Sequence, residues 1–353
     1  MALTKTQRSA LTRIRAAGNS VLNVNLDDDI CCYLISVVVA DLGFSESFPE
    51  LPAAPSPFFN QQPLKNLRVA NVDFMVLYER LLGLLADGDA YFACIAKLHK
   101  ARLKYEQILQ CQPIPTIDQV GPRGLLQYGS LSPKGLAGLL FWRKWIFDLD
   151  NRAGQETGYV FEPIIAYSIG GVPFGAKNSP IRRNGEQGNR QVDCIREEDK
   201  RAYELKLRVT IAASGQGRWE EELQFPVDAK CSGYIPVLVV LDPTPNEKLE
   251  ALKKAFQREG GEVYIGKAAW DHLEQQAGST MATFIEKYVR SPLQELLEEA
   301  PKKLPDFLLT FEENQIVLKI GDEQLTIQRE EAPELESTPD ILPEDIDEDI
   351  PAP

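Results

Sequence analysis

Gln191-Val192-Asp193-Cys194-Ile195, the polar Glu197-Glu198-Asp199-Lys200 and Ala202-Tyr203-Glu204-Leu205-Lys206-Leu207-Arg208 read as two strands and the turn between them. The segments Arg190–Arg196 and Arg201–Val209 alternate apolar and polar residues with the period of a half-buried strand. With 197–200 as the turn, Asp193 lies opposite Glu204. Directly paired strand residues point to one face, with Cβ atoms ~5 Å apart. Glu204, Lys206 and Arg208 then share that face, and Tyr203, Leu205, Leu207 and Val209 the other.

Two carboxylates that close repel by about 4 kcal/mol at an effective dielectric near 20. A divalent cation removes this cost. Two acids supply hard oxygen ligands, and waters with a substrate phosphate complete a shell that suits Mg²⁺. Lys206 would stand beside the ion, to orient or help deprotonate an attacking water and to offset charge on a phosphate. An acid opposite an acid on a solvated face is also common in antiparallel sheets. Here Arg182, Arg183 and Arg190 lie just upstream, and Ser214-Gly215-Gln216-Gly217-Arg218-Trp219 is a glycine-containing helix entry suited to phosphate approach.

The flanking chain is consistent with such a site. Gly154–Ser168 reads as a helix that Pro163 must kink unless it sits near an N-terminus. Gln216–Lys230 is helical, with Pro226 inside. Ile235–Leu241 is a short, β-branched apolar run of the kind buried on both sheet faces. Pro245–Glu259 is an amphipathic helix, Glu262–Ile265 a strand, and helices follow at about 267–277 and 280–299. The expected fold is α/β (α+β): a mixed sheet flanked by helices over 151–300. Residues 1–150 read as a mainly helical region, with helices at Ile30–Leu42, about 71–86, 88–111 and 134–149. A proline-rich linker or arm covers 45–66. Residues 301–330 form a small β segment and 331–353 an acidic, disordered tail.

Asp193 followed ten intervening residues later by Glu204-Leu205-Lys206 resembles the D…(D/E)-x-K signature of the PD-(D/E)XK nuclease superfamily. The longer run Tyr203–Gly217, with Ser232-Gly233-Tyr234 and Val239–Thr244, resembles the ApaLI-like type II restriction endonucleases. The resemblance implies Mg²⁺-dependent hydrolysis of double-stranded DNA at a short palindrome, similar to GTGCAC, leaving 5′-phosphate ends. It implies Asp193 and Glu204 as metal ligands, the Leu205 carbonyl as a third, and Lys206 as the catalytic lysine. Glu162 matches the acid that many superfamily members add to the metal site. Val192 stands where the superfamily usually has proline.

A palindromic target implies a twofold protein, hence a homodimer. Arg and Lys suit guanine edges, and Asn and Gln suit adenine edges. Candidate DNA contacts are Lys177, Asn178, Arg182, Arg183, Asn184, Gln187, Asn189 and Arg190 on a glycine-rich loop, with Arg208 and Arg218 beyond it. Rival readings are a repair or structure-specific nuclease of the same fold, or an inactive DNA-binding protein.

Composition limits the field. The 353 residues are 44% hydrophobic and carry a net charge of −14. Residues 291–353 hold 4 Lys+Arg against 18 Asp+Glu, which accounts for all of it and leaves 1–290 neutral. The acidic average therefore does not exclude a DNA partner. No apolar run is long enough for a membrane span. The N-terminus lacks the apolar core of a secretory signal, and six cysteines without a C-x-x-C pair read as reduced thiols. A cytoplasmic protein is expected. Two histidines, His99 and His272, all but exclude a zinc finger. The stretch from Gly261 to Lys267-Ala268 nearly spells a phosphate-binding loop, but Ala268 lacks the needed hydroxyl and Val263-Tyr264-Ile265 reads as strand. No nucleotide cofactor is expected.

Overall fold

The computed structural model describes residues 3, 5–16, 24–53, 63–185, 187–207, 216–299 and 301–330. Helices α1 (Lys5–Arg15), α2 (Asp28–Asp41), α3 (Phe74–Leu84), α4 (Gly88–Cys111) and the short α5 (Ile117–Val120) precede the long α6 (Pro133–Ser168). Strands β1 (Val172–Phe174), β2 (Val192–Arg196) and β3 (Arg201–Lys206) follow. Then come α7 (Gln216–Cys231), β4 (Ile235–Val240), α8 (Glu247–Arg258), β5 (Glu262–Ile265), α9 (Lys267–Ile285), α10 (Ser291–Glu298) and strands β6 (Phe307–Glu312), β7 (Gln315–Ile320) and β8 (Glu323–Gln328).

The strands β1-β2-β3-β4-β5 form one mixed sheet in that order. β1, β2 and β3 pair antiparallel, whereas β3–β4 and β4–β5 are parallel. One face packs Cys194, Tyr203, Leu205, Val237 and Val239 against Ile165 of α6 and Leu273 of α9. The other packs Ala202, Leu238 and Val240 against Phe225 of α7 and Leu252 of α8. Helices therefore cover both faces, as parallel strands require. β4 is buried from Pro236 onward, in line with its apolar run. β6, β7 and β8 make a separate antiparallel sheet. No described helix is long and apolar enough to cross a membrane.

Several expectations need correction. The helices expected at 134–149 and 154–168 are one helix, with Pro163 inside it. α6 thus runs straight through the proposed boundary at residue 150. Ile164 and Tyr167 of α6, with Phe284 and Tyr288, also join the core of α2, α3 and α4, so the helical region and the sheet share packing. β1 was not anticipated; three residues carry too little periodicity to register. It is reached by a turn at 169–170 and then Gly171, where any Cβ would collide with Cys194 Sγ. β2 starts at Val192 rather than Arg190; β3 is described from Arg201 to Lys206, and residues 208–209 of the expected strand lie outside the described residues. Within the proline-rich stretch, 45–47 and 64–66 are 3₁₀ turns and Phe48 is buried; 54–62 lie outside the described residues, as does the acidic tail from 331 on.

Elsewhere local rules hold. Asp27 caps α2 by accepting from the Ile30 N–H at 3.0 Å, with Asp28 and Asp29 in the positive first turn. The break between the last long helices falls at Gly278, whose φ of 67° interrupts α9.

Both histidines are buried, as core residues rather than exposed bases. His99 on α4 is 1% exposed and neither ring nitrogen finds a hydrogen-bond partner among the described residues. Burial, helped by nearby Arg102, pushes its pKa from 6.5 down to about 4. The unfolded chain then binds this proton first. The stability at stake is present above pH ~6.5 and is lost as pH falls towards about 4. At 1.36 kcal/mol per unit this is at most about 3 kcal/mol. We expect His99→Phe to flatten the fall in urea midpoint between pH 7 and 4.5; an unchanged fall would show that His99 carries none of it.

Candidate active site

The 197–200 turn sets the register of the β2–β3 hairpin. Arg196 pairs with Arg201, Ile195 with Ala202 and Cys194 with Tyr203. Continued by one step, this register puts Asp193 opposite Glu204. The ladder stops at Cys194, however, and Asp193 does something else. Its carboxylate Oδ2 accepts the Leu205 N–H at 2.8 Å. In an extended strand the N–H and C=O of one residue point to the same edge. The Leu205 carbonyl is therefore directed to the Asp193 side, while the Lys206 carbonyl accepts from Leu241 on the β4 side. β3 continues along β4 to Lys206 after its ladder with β2 has ended, which leaves the Asp193 side open for ligands.

The face assignment holds along β3. Tyr203 and Leu205 lie in the α6–α9 core, and Leu207 packs against it. Glu204 and Lys206 point the other way, where Lys206 Nζ lies 2.9 Å from Glu204 Oε1 and 3.3 Å from Glu222 Oε1 of α7. Glu162 of α6 lines the same small recess as Asp193, with Tyr159, Pro163, Phe174 and Gln191. Pro163, lacking an N–H, leaves the Tyr159 carbonyl without its usual helical donor beside that recess.

Charge confirms the crowding. The Asp193 carboxyl is pushed well above the usual carboxylate range, first by burial and then by Glu162 and Glu204; Lys206 and the Leu205 N–H only partly oppose this. Burial alone would pull Lys206 down, but Glu204, Glu222 and Asp193 outweigh it, so the amine is held protonated. With these carboxylates free of an ion, the amine is a donor placed to orient water and neutralise charge.

The donor set fits a hard divalent cation in kind. It consists of carboxylate and carbonyl oxygens, with more negative charge than the one amine offsets. Among the described residues no group of three His, Cys, Asp or Glu is clustered tightly enough to hold an ion by itself.

The loop from 181 to 190 is a tight hairpin pinned to α7. Arg182 bridges Asn189, and the Arg190 N–H donates to the Ile181 carbonyl at 2.8 Å. Asp228, fully buried, accepts from Arg190 Nε at 2.6 Å and from the Asn184 N–H at 2.9 Å. Arg190 also donates to the Glu221 carbonyl. This corrects one reading: Arg190 is buried in an ion pair and is built into the fold, not offered to DNA. Breaking such a pair one-sidedly typically costs about 3–5 kcal/mol, so its role is to hold the loop. Arg183 meets Glu221 at 2.8 Å on the surface. Arg182, Asn184 and Gln187 are exposed on the loop, Asn189 is half-buried, and Lys177 and Asn178 are exposed after β1. Arg208, Ser214 and Gly215 lie outside the described residues; Gln216, Gly217, Arg218 and Trp219 open α7.

Glu222 and Asp228 were missed. Both act across distance in sequence, on Lys206 and Arg190 respectively. Glu222 sits in the run Glu220-Glu221-Glu222, which looks like any solvated helix face. The available signal was its spacing from Phe225 and Ala229, which puts it on the buried stripe.

Comparison with known proteins groups the chain by its sequence. The family model for ApaLI-like restriction endonucleases matches residues 62–290, which include every strand of the five-stranded sheet. The type II restriction enzyme ApaLI of Acetobacter pasteurianus is 46% identical over 278 residues, 74% of each chain. No solved structure matches. The chain belongs to the ApaLI-like restriction endonuclease family.

Proposed function

We propose that this restriction endonuclease hydrolyses double-stranded DNA at a short palindromic site with Mg²⁺, acting as a homodimer in which each subunit cuts one strand. The observation that carries the reading is the hydrogen bond from the Leu205 N–H to the Asp193 carboxylate, which brings Asp193 to the strand segment that bears Glu204 and Lys206, themselves paired at 2.9 Å. Asp193, Glu204 and the Leu205 carbonyl would hold the ion, with Glu162 nearby. When bound, the ion would supply Lewis-acid stabilisation of charge on the phosphate and a more acidic water. Asp193 is kept in place by the Leu205 N–H, so its second oxygen is aimed without further ordering. Lys206 donates to the attacking water or to a phosphate oxygen and offsets the charge that develops there. Arg182, Arg183, Asn184, Gln187 and Asn189 would meet the duplex from a loop whose shape Asp228 fixes before binding. Pre-organisation of this kind lowers the ordering cost of recognition.

Digestion of plasmid DNA with Mg²⁺, with Ca²⁺ and with EDTA tests this. Discrete fragments are expected with Mg²⁺ only, and a duplex bearing GTGCAC is the first target to try. Smearing, or cutting confined to branched DNA, would contradict site-specific cleavage.

A further inference from the structure

α7 packs on the sheet through Phe225 and Ala229, both buried against Ala202, Leu238 and Val240. Residue 222 is three positions before Phe225 and seven before Ala229, so it falls on the same stripe of the helix. An apolar residue is the ordinary occupant of such a position. Instead Glu222 is there, its side chain 19% exposed and 3.3 Å from Lys206 Nζ. Its neighbours Glu220 and Glu221 are exposed, and Glu221 serves Arg183. A carboxylate at the edge of an apolar stripe carries a desolvation cost that needs a partner, and Lys206 is that partner.

We infer that Glu222 is a positioning residue that holds the Lys206 ammonium over the reacting phosphate. The inference rests on the active-site reading given above. Lysine has a flexible four-carbon stem rich in rotamers, and one contact does not fix it. Its other anchor is Glu204, on the same strand two residues away, and Glu204 is also assigned to the ion. A carboxylate that gives its charge to a divalent cation is a weaker partner for an amine. Glu222 comes from a different element, α7, and is not among the residues assigned to the ion. It fixes Nζ from the α7 side while Glu204 faces the metal site.

Three variants test this. Glu222→Ala is expected to lower the maximal cleavage rate about 10- to 100-fold, the usual effect of removing a group that orients a reacting one. DNA affinity, read by fluorescence anisotropy in Ca²⁺, should stay within about twofold of wild type. Glu222→Gln keeps the acceptor oxygen and should recover most of the rate. Glu222→Leu completes the apolar stripe; it should keep the melting temperature and still lose turnover, an outcome that a purely structural role does not give. Wild-type rates in Glu222→Ala or Glu222→Leu, or a loss in Glu222→Gln as deep as in Glu222→Ala, would overturn the inference. Lys206→Ala is run beside them. If it cuts normally, the active-site reading itself fails; if it is dead while Glu222→Ala is normal, only the role of Glu222 fails.

Discussion

Asp193→Asn is expected to bind DNA, to fail to cut it, and to melt at a higher temperature than the wild type in the absence of divalent ions. Each part follows from the same crowding. Asn keeps an oxygen for the Leu205 N–H, so the 2.8 Å contact survives, but it is a poor ligand for a hard cation. Losing several kcal/mol of transition-state stabilisation lowers the rate by about 10³-fold or more. The stability part depends on sign. The folded-state pKa of Asp193 is raised by burial, Glu162 and Glu204. The folded protein therefore binds this proton more tightly than the unfolded chain. The resulting stabilisation is complete below the unfolded value near 3.9 and is lost as pH rises through the folded one. At pH 7.5 the unfolded chain carries this charge freely, whereas the fold must either bury it beside Glu162 and Glu204 or take up a proton, a cost that the variant does not have. A divalent ion should raise the melting temperature of wild type and leave the variant unmoved. Melting curves at pH 7.5 with and without Ca²⁺, beside cleavage assays in Mg²⁺, read all three. A variant that is less stable than wild type, or that still responds to the ion, would count against the assignment.

The hairpin was legible because its register depends on local chemistry. Glu197-Glu198-Asp199-Lys200 is polar and sits between alternating segments, so one turn position sets every pair, Cys194 with Tyr203 included. The buried run of β4 and the glycine break at Gly278 were equally local. What was not legible depended on long-range packing. Propensity gave two helices where α6 is one, because packing of Ile164 and Tyr167 against the N-terminal core carries the helix through Asn151 and Pro163. Arg190 looked like a base-reading cation; only the fold brings buried Asp228 to it from 38 residues away. The end of the β2–β3 ladder, where the Asp193 carboxylate replaces a strand carbonyl as acceptor, also needs coordinates.

Lys206→Ala should abolish cutting in a different way. Loss of a positioned donor at the reacting phosphate costs about 10²- to 10⁴-fold in rate. The carboxylates of Asp193 and Glu204 remain, so the melting temperature should still rise with divalent ions. It should rise by more than in wild type, since Glu204, Glu222 and Asp193 lose the amine that now offsets them. For the same reason the ion-free variant should melt below wild type. Asp193→Asn and Lys206→Ala thus shift ion-free stability in opposite directions while both lose activity. Thermal melts separate them, and equal shifts of one sign would show that charge balance does not govern this site.

The most direct measurement is a crystal structure of the protein with its target DNA and Mn²⁺, read by anomalous scattering. The expected result is a peak roughly 2.0–2.3 Å from oxygens of both Asp193 and Glu204, close to the spacing of a hard divalent ion, with Lys206 Nζ on the scissile phosphate. A peak elsewhere, or DNA bound on a face remote from the Asp193 edge of the sheet, would contradict it.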